Sequence, residues 1–197
     1  MTDAKAGLAG RLRAALERPP AEPLLAGDDF SARDDAAPAA VLIAITDRTD
    51  PGVILTVRHA DMRTHAGQVA FPGGRIDAGE NAQDAALREA WEELGLEPGE
   101  VEPIGSLLPY RTVTGFEVTA VIGVIRPDLP LAPHEQEVAD WFEAPLAFVL
   151  DPVNQHRESV LFEGRLRQYY KIGWNGRNIW GATAAMLVNL SRRLQWS

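Results

Sequence analysis

At 197 residues the chain is one domain's worth of sequence, long enough to bury most of its surface around a core. Its 46% hydrophobic and 24% charged content is that of a globular protein, and without cysteine it has neither a disulfide framework nor thiol catalysis. A formal charge of −9 argues against nonspecific nucleic-acid binding, which needs basic surface, and no apolar run approaches the ~20 residues that span a bilayer.

Lys5, Arg11 and Arg13 stand at the N-terminus without a hydrophobic signal core, so a cytoplasmic location is expected. Residues 7–17 have the pattern of a short amphipathic helix. Residues 19–38, rich in Pro, Ala and Asp, read as linker or irregular wrap. Residues 1–34 are therefore expected as a helix and linker packed on a main domain of 35–197. Residues 41–46 and 53–57 are apolar, β-branched strands around a turn at 47–52. Phe71-Pro72-Gly73-Gly74 is a stiff approach, poor in side chains, that lets backbone carbonyls come close to a ligand or metal.

A helix follows, with Asn81 as N-cap, Asp84 in its first turn and Gly95 at its end. Ala82, Ala85, Ala86, Leu87, Ala90 and Leu94 give it propensity and an apolar side. Residues 101–108 and 116–125 read as strands. Residues 159–162 and 166–172 flank Glu163-Gly164-Arg165 as a hairpin. A last helix is predicted from near Asn178, with Ile179, Thr183, Met186, Leu187, Leu190 and Leu194 on one stripe that reads as core or dimer packing. The terminal helices thus offer a surface for a homodimer.

The chemistry concentrates between Gly74 and Gly95. Seven fixed residues recur there: Gly74, Glu80, Arg88, Glu89, Glu92, Glu93 and Gly95. Glu89, Glu92 and Glu93 stand at i, i+3 and i+4, on one helix face. Like charges so placed cost a helix roughly 0.2–0.5 kcal/mol per pair, a liability that a hard divalent cation turns into a site. Mg²⁺ and Mn²⁺ both favour such oxygen donors.

This segment resembles the signature of the Nudix hydrolases, which cleave diphosphate linkages in nucleoside derivatives with Mg²⁺ or Mn²⁺. The resemblance implies an α/β fold, an α/β/α sandwich with a mixed β-sheet. It implies Glu89 and Glu93 as principal metal ligands, with Glu92 sharing the cluster and the glycine bend at Gly73 facing it. Arg88 then holds the glutamates by ion pairing, and Glu80 supports that network. Residues 54–77 are similar to the extra motif of the coenzyme A pyrophosphatases, a Nudix subgroup that cleaves CoA to 3′,5′-ADP and 4′-phosphopantetheine. The agreement lies in Leu55-Thr56, Arg58, Arg63, Gly67-Gln68-Val69, Phe71-Pro72-Gly73-Gly74 and Asp77. His59 stands where that pattern has serine and Met62 where it has leucine. Later stretches at 108–116, 134–146 and 179–184 resemble the same subgroup.

A nucleotide diphosphate is a polyanion, so metal and local arginines must overcome the chain's global charge. Arg58, Arg63 and Arg75 flank the signature and Arg111 follows the next strand. Their forked donors suit phosphate, and His59 stands beside them. The proton of an attacking water is expected to go to Glu92, Glu93 or a glutamate from a later loop, for which Glu137 is the candidate. Three readings remain open from sequence: a CoA or acyl-CoA pyrophosphatase; a Nudix enzyme for ADP-ribose, NADH or dinucleoside polyphosphates; and a noncatalytic nucleotide-binding module. The partner in each is a small nucleotide, neither nucleic acid nor membrane.

Overall fold

The computed structural model describes residues 7–28, 35–59, 67–162 and 164–195, which leaves the expected phosphate contact Arg63 outside. In chain order its elements are α1 (Leu8–Glu17), β1 (Ala37–Thr46), β2 (Gly52–Arg58), β3 (Val69–Ala70), β4 (Gly73–Arg75) and α2 (Ala82–Leu94). There follow β5 (Val101–Ser106), β6 (Tyr110–Arg111), β7 (Phe116–Ile125), β8 (Val138–Pro145) and α3 (Leu146–Leu150). The chain closes with β9 (His156–Phe162), β10 (Arg165–Trp174), β11 (Arg177–Trp180) and α4 (Gly181–Leu194).

The central sheet is mixed. β1 pairs parallel with β7 without a break from Ala37↔Phe116 to Thr46↔Ile125, which starts β1 four residues before the predicted position 41. Antiparallel β5 and β6 complete the β7 side. On the other side β1 meets β2 only at Ile45↔Val53, and the two strands then splay apart. The segment 69–75 wedges into that opening. β3 pairs with β2, and β4 pairs with β1 through Ala39↔Arg75, Ala40↔Gly74 and Val41↔Gly73. Gly73 has to lack a side chain, because a Cβ there would lie 2.7 Å from Val41 Cα.

Alternation along β1 sends Ala39, Ile43 and Ile45 to one face and Ala40, Leu42 and Ala44 to the other. α2 covers the second face with Ala85, Ala86, Ala90 and Leu94, all fully buried; three small side chains bring its axis close to the strands. Its cap is the predicted one: Asn81 Oδ1 accepts from the Asp84 N–H at 2.9 Å, and Gly95 closes the helix at φ 64°. α1, α3 and α4 cover the first face, which makes the fold an α/β/α sandwich.

The second sheet, β11-β10-β9, is antiparallel. Here one boundary is corrected: Asn178 lies in β11, and the last helix begins at Gly181. Asn175 and Gly176 both have positive φ, 47° and 74°, and turn β10 back into β11, so Arg177–Trp180 is spent as a strand before α4 can start.

The N-terminal segment is stitched to α4 by side chains. Asn189, 2% exposed, accepts from the Leu25 N–H at 2.7 Å and donates to the Leu25 carbonyl at 2.9 Å. Arg192 donates to Pro23 O, Gln195 to Pro19 O, and Arg193 to Leu16 O. Asn189→Ala strands both Leu25 backbone groups, at an expected cost of about 1–3 kcal/mol. In a domain of this size each kcal/mol lowers Tm by roughly 2–4 °C. A thermal melt indistinguishable from the parent's excludes the clamp.

Candidate active site

The splay of β1 from β2 puts the glycine bend directly under α2. In the β1–β4 ladder Leu42 donates to Pro72 O and Ile76 to Pro38 O, so the pairs 42/72, 40/74 and 38/76 carry the ladder bonds. Gly73 and Arg75 fall between them, and their amides and carbonyls point off the opposite edge. Arg75 O takes a hydrogen bond from Arg88 Nη2 at 3.0 Å, and the Gly73 N–H bonds to Glu93. Gly73 is therefore tied to the cluster by its amide, and the same register turns its carbonyl away from β1.

Arg88 organises the acids. Its guanidinium reaches Glu80 (Nε–Oε1 3.0 Å), Glu89 (Nη1–Oε1 2.9 Å) and Glu92 (Nη1–Oε2 3.0 Å). Glu80 also caps its own loop, accepting from the Asp77 N–H at 3.0 Å. The Arg88 hydrogen bond, with that backbone bond second, holds the Glu80 carboxyl below its ordinary range, and the acids in turn raise the Arg88 pKa. The i, i+3, i+4 glutamates have unequal surroundings. Glu92 is about half exposed, Glu89 lies against Gly74, and Glu93 is buried at 4% exposure.

Arg58, at the end of β2, comes to 3.7 Å from Glu93, and its Nε is buried without a hydrogen-bond partner among the described residues. The ends of the connection after β2 are closed on this same arginine, since its N–H donates to Gln68 O and its carbonyl accepts from Gly67. From the other side the segment before β8 docks on the end of α2: Ala132 N–H donates to Leu94 O and His134 N–H to Glu93 O. This brings Glu137 close enough to repel both Glu89 and Glu93, with its carbonyl held by the His59 N–H at 2.9 Å.

Of the remaining arginines, Arg75 lies over the Phe116 ring at 5.3 Å, and Arg111 is ion-paired to Glu117 at 2.9 Å. A cavity lined by Leu25, Asp28, Tyr110, Arg157, Gln168 and Tyr170 opens on the other face of the sheet and takes no part in this cluster.

Burial pushes the Glu93 carboxyl up to about 8 from an ordinary 4.5; Arg58 and the Gly73 N–H pull it down, Glu89 and Glu137 push it further up. Glu89 moves in the same direction, again chiefly through burial. The stability that Glu93 contributes is thus fully present below about 4.5 and is lost as pH rises toward 8, because only the unfolded chain releases the proton easily across that window. In a chelator, Tm is expected to fall between pH 6 and 8, and Glu93→Gln to flatten that fall. A wild-type melt independent of pH there contradicts the assignment.

The donor set is entirely oxygen: Glu89, Glu92 and Glu93 on one helix, Glu137 across from them, and a glycine bend that a side chain would fill. That set fits Mg²⁺ or Mn²⁺ and gives no thiolate or imidazole for a softer metal. Among the described residues no three acids or histidines are already drawn around one point, since Arg88 holds Glu89 and Glu92 by hydrogen bonds. Among the described residues no helix is long and apolar enough to cross a membrane.

Comparison with known proteins agrees with this architecture. The NUDIX domain model matches residues 36–163. The uncharacterized Nudix hydrolase NudL of Escherichia coli K12 is 43% identical over 157 residues, 79% of this chain and 82% of that protein. The NudL of Cronobacter sakazakii gives the same figures. The crystal structure of RenU, a Nudix hydrolase from M. smegmatis, superimposes with a TM-score of 0.50 over 56% of this chain and 71% of that one, at 24% identity, a likeness of fold. Nudix hydrolases generally use divalent ions such as Mg²⁺ or Mn²⁺. With its signature helix, glycine bend and matched relatives, this chain belongs to the Nudix family of hydrolases.

Proposed function

We propose that this hydrolase cleaves the diphosphate of coenzyme A or its thioesters to 3′,5′-ADP and 4′-phosphopantetheine or its acyl form. Glu89, Glu92, Glu93 and the Gly73 carbonyl would hold Mg²⁺ or Mn²⁺. The ion supplies charge neutralisation at the diphosphate and acidification of water. Glu92, Glu93 or Glu137 takes the proton as the water oxygen bonds to phosphorus and the bridging P–O bond breaks, the leaving phosphate departing as an anion. Arg88, pinned by Glu80, keeps the glutamates from drifting apart. Arg58, Arg63, Arg75 and His59 are the proposed phosphate contacts. Arg111 is proposed with them, and it must first give up Glu117.

One observation carries the choice of substrate. The connection that resembles the CoA motif is rooted on Arg58, beside buried Glu93, and the Arg58 Nε, without a hydrogen-bond partner among the described residues, is a donor that a substrate anion could take. The His59 departure from that motif favours testing other nucleoside diphosphate derivatives alongside. With Mg²⁺, CoA is expected to turn over faster than ADP-ribose, NADH or nucleoside triphosphates. Faster hydrolysis of ADP-ribose than of CoA removes the CoA reading and leaves the family chemistry intact.

A further inference from the structure

The wedge leaves a seam in the sheet. β8 takes one edge of β2 along its whole length, so β3 lies on the edge that faces β1, inside the opening that β4 shares. Arg58 N–H donates to Gln68 O, which makes 58/68 and 56/70 the bonded pairs of the β2–β3 ladder. Val69 falls between them, and its N–H and carbonyl point away from β2. Gly73 and Arg75 likewise point away from β1. The free edges of β3 and β4 thus face each other across the seam, joined by the short link 70–72.

In an ordinary hairpin with a three-residue loop, Val69 and Gly73 would pair, and the Gly73 N–H would go to the Val69 carbonyl. Here β3 and β4 do not pair. Side chains from both covering layers take those groups instead. From α2, Glu93 accepts the Gly73 N–H and Arg88 donates to Arg75 O. From α4, on the opposite face, Thr183 Oγ1 donates to Val69 O at 3.1 Å. Thr183 is buried beside Ala184, Ala185 and Leu187, where valine would pack as well, so the hydroxyl is what the position uses. Without it Val69 O is a buried acceptor that has lost its donor, and such a group is costly to leave unpaired. The donor across the seam in this register is the Gly73 N–H that Glu93 now holds.

We propose that Thr183 is a positioning residue for the acidic cluster: by occupying Val69 O it holds the seam open and leaves the Gly73 amide to Glu93. The inference rests on that cluster being the metal site proposed above, whichever diphosphate is cleaved. Thr183 acts from the face of the sheet opposite the glutamates, through β3 and the link to the bend. That link is stiff, since Phe71 is buried and Pro72 has a fixed φ.

Two substitutions separate the hydroxyl from the shape. Thr183→Val keeps the shape and removes the hydroxyl, and Thr183→Ser keeps the hydroxyl. Both are read by calorimetric titration with Mn²⁺ alone and by turnover with Mg²⁺, using CoA or, where that is the faster substrate, ADP-ribose. The valine variant is expected to lose about 10–100-fold in Mn²⁺ affinity and in kcat, the usual loss when a group that orients metal ligands is removed. The serine variant should stay within about threefold of wild type in both. Asn189→Ala is the control, because it breaks a buried polar clamp on the same helix that holds Leu25 and not the wedge. It should lower Tm and leave Mn²⁺ affinity and kcat, measured well below Tm, unchanged. A valine variant with wild-type affinity and turnover overturns the proposal, as do equal losses in valine and serine. A matching loss in Asn189→Ala overturns it too, with loosening of α4 as the cause. Should the valine variant fail to fold, Thr183→Ala against Thr183→Ser makes the same comparison. A wild type that binds no Mn²⁺ removes the metal site and this inference with it, whereas wild-type binding that Thr183→Val does not move removes the inference alone.

Discussion

Glu93→Gln is expected to lower turnover of the Mg²⁺-loaded protein by about 10²–10⁴-fold, the usual loss when a positioned carboxylate leaves proton-transfer chemistry. The position explains why the loss should be clean. Glu93 lies on the sheet-facing side of α2 among fully buried Ala90 and Leu94, with the Gly73 N–H and Arg58 as its partners. Glutamine has the same shape and can still accept the Gly73 hydrogen bond. In the metal-free protein the acid is already held largely neutral near pH 7 by burial, so the amide replaces a neutral group with a neutral group. Folding should therefore survive while the charge needed to hold a divalent ion is gone. Steady-state kinetics beside a thermal melt read the two effects apart. Activity within threefold of wild type would take the metal assignment away from Glu93, whatever the substrate.

The same residue shows where sequence reasoning reaches its limit. Glu89, Glu92 and Glu93 share a helix face by spacing alone, and the alanines opposite and the Asn81 and Gly95 caps follow from local chemistry. What spacing cannot say is that one acid is buried and another half exposed. That depends on the wedge 69–75, which no propensity announces: Phe71-Pro72-Gly73-Gly74 reads as a stiff approach poor in side chains, and its two glycines join a strand only because β1 and β2 part to receive them. Glu137 is a similar case. Its place beside the cluster is fixed by two backbone bonds from residues 132 and 134 to the end of α2, and backbone bonds leave no trace in side-chain identity. Asn189 stands beside the apolar stripe of the last helix, and a polar residue there asks for a buried partner, which only the fold identifies as Leu25. The Asn175-Gly176 hairpin signal was present in the sequence, and it accounts for the shift of the last helix start to Gly181.

The two glycines of the bend should separate stability from chemistry, although they are neighbours. A Cβ on Gly73 points into β1, where it meets the Ala40 carbonyl and comes to 2.7 Å from Val41 Cα, atoms that ten consecutive pairs with β7 hold in place. Nothing there can yield, so Gly73→Ala is expected to cost about 1–3 kcal/mol as an overpacked core does, and to lower Tm at every pH. A Cβ on Gly74 points the other way, at the Glu89 carboxylate, 2.7 Å from Oε2. That carboxylate ends a flexible side chain and can swing aside, so Gly74→Ala should leave Tm within a few degrees. The swing takes Glu89 off the position that Arg88 and the bend define, and a misplacement on the order of 1 Å can cost about 10²-fold in rate. Loss of activity without loss of stability at Gly74, and the reverse emphasis at Gly73, follows only if Glu89 works from the place where the bend holds it. Equal effects on Tm from both alanines would mean that the bend is merely structural, and that the close packing of Glu89 on Gly74 has no part in turnover.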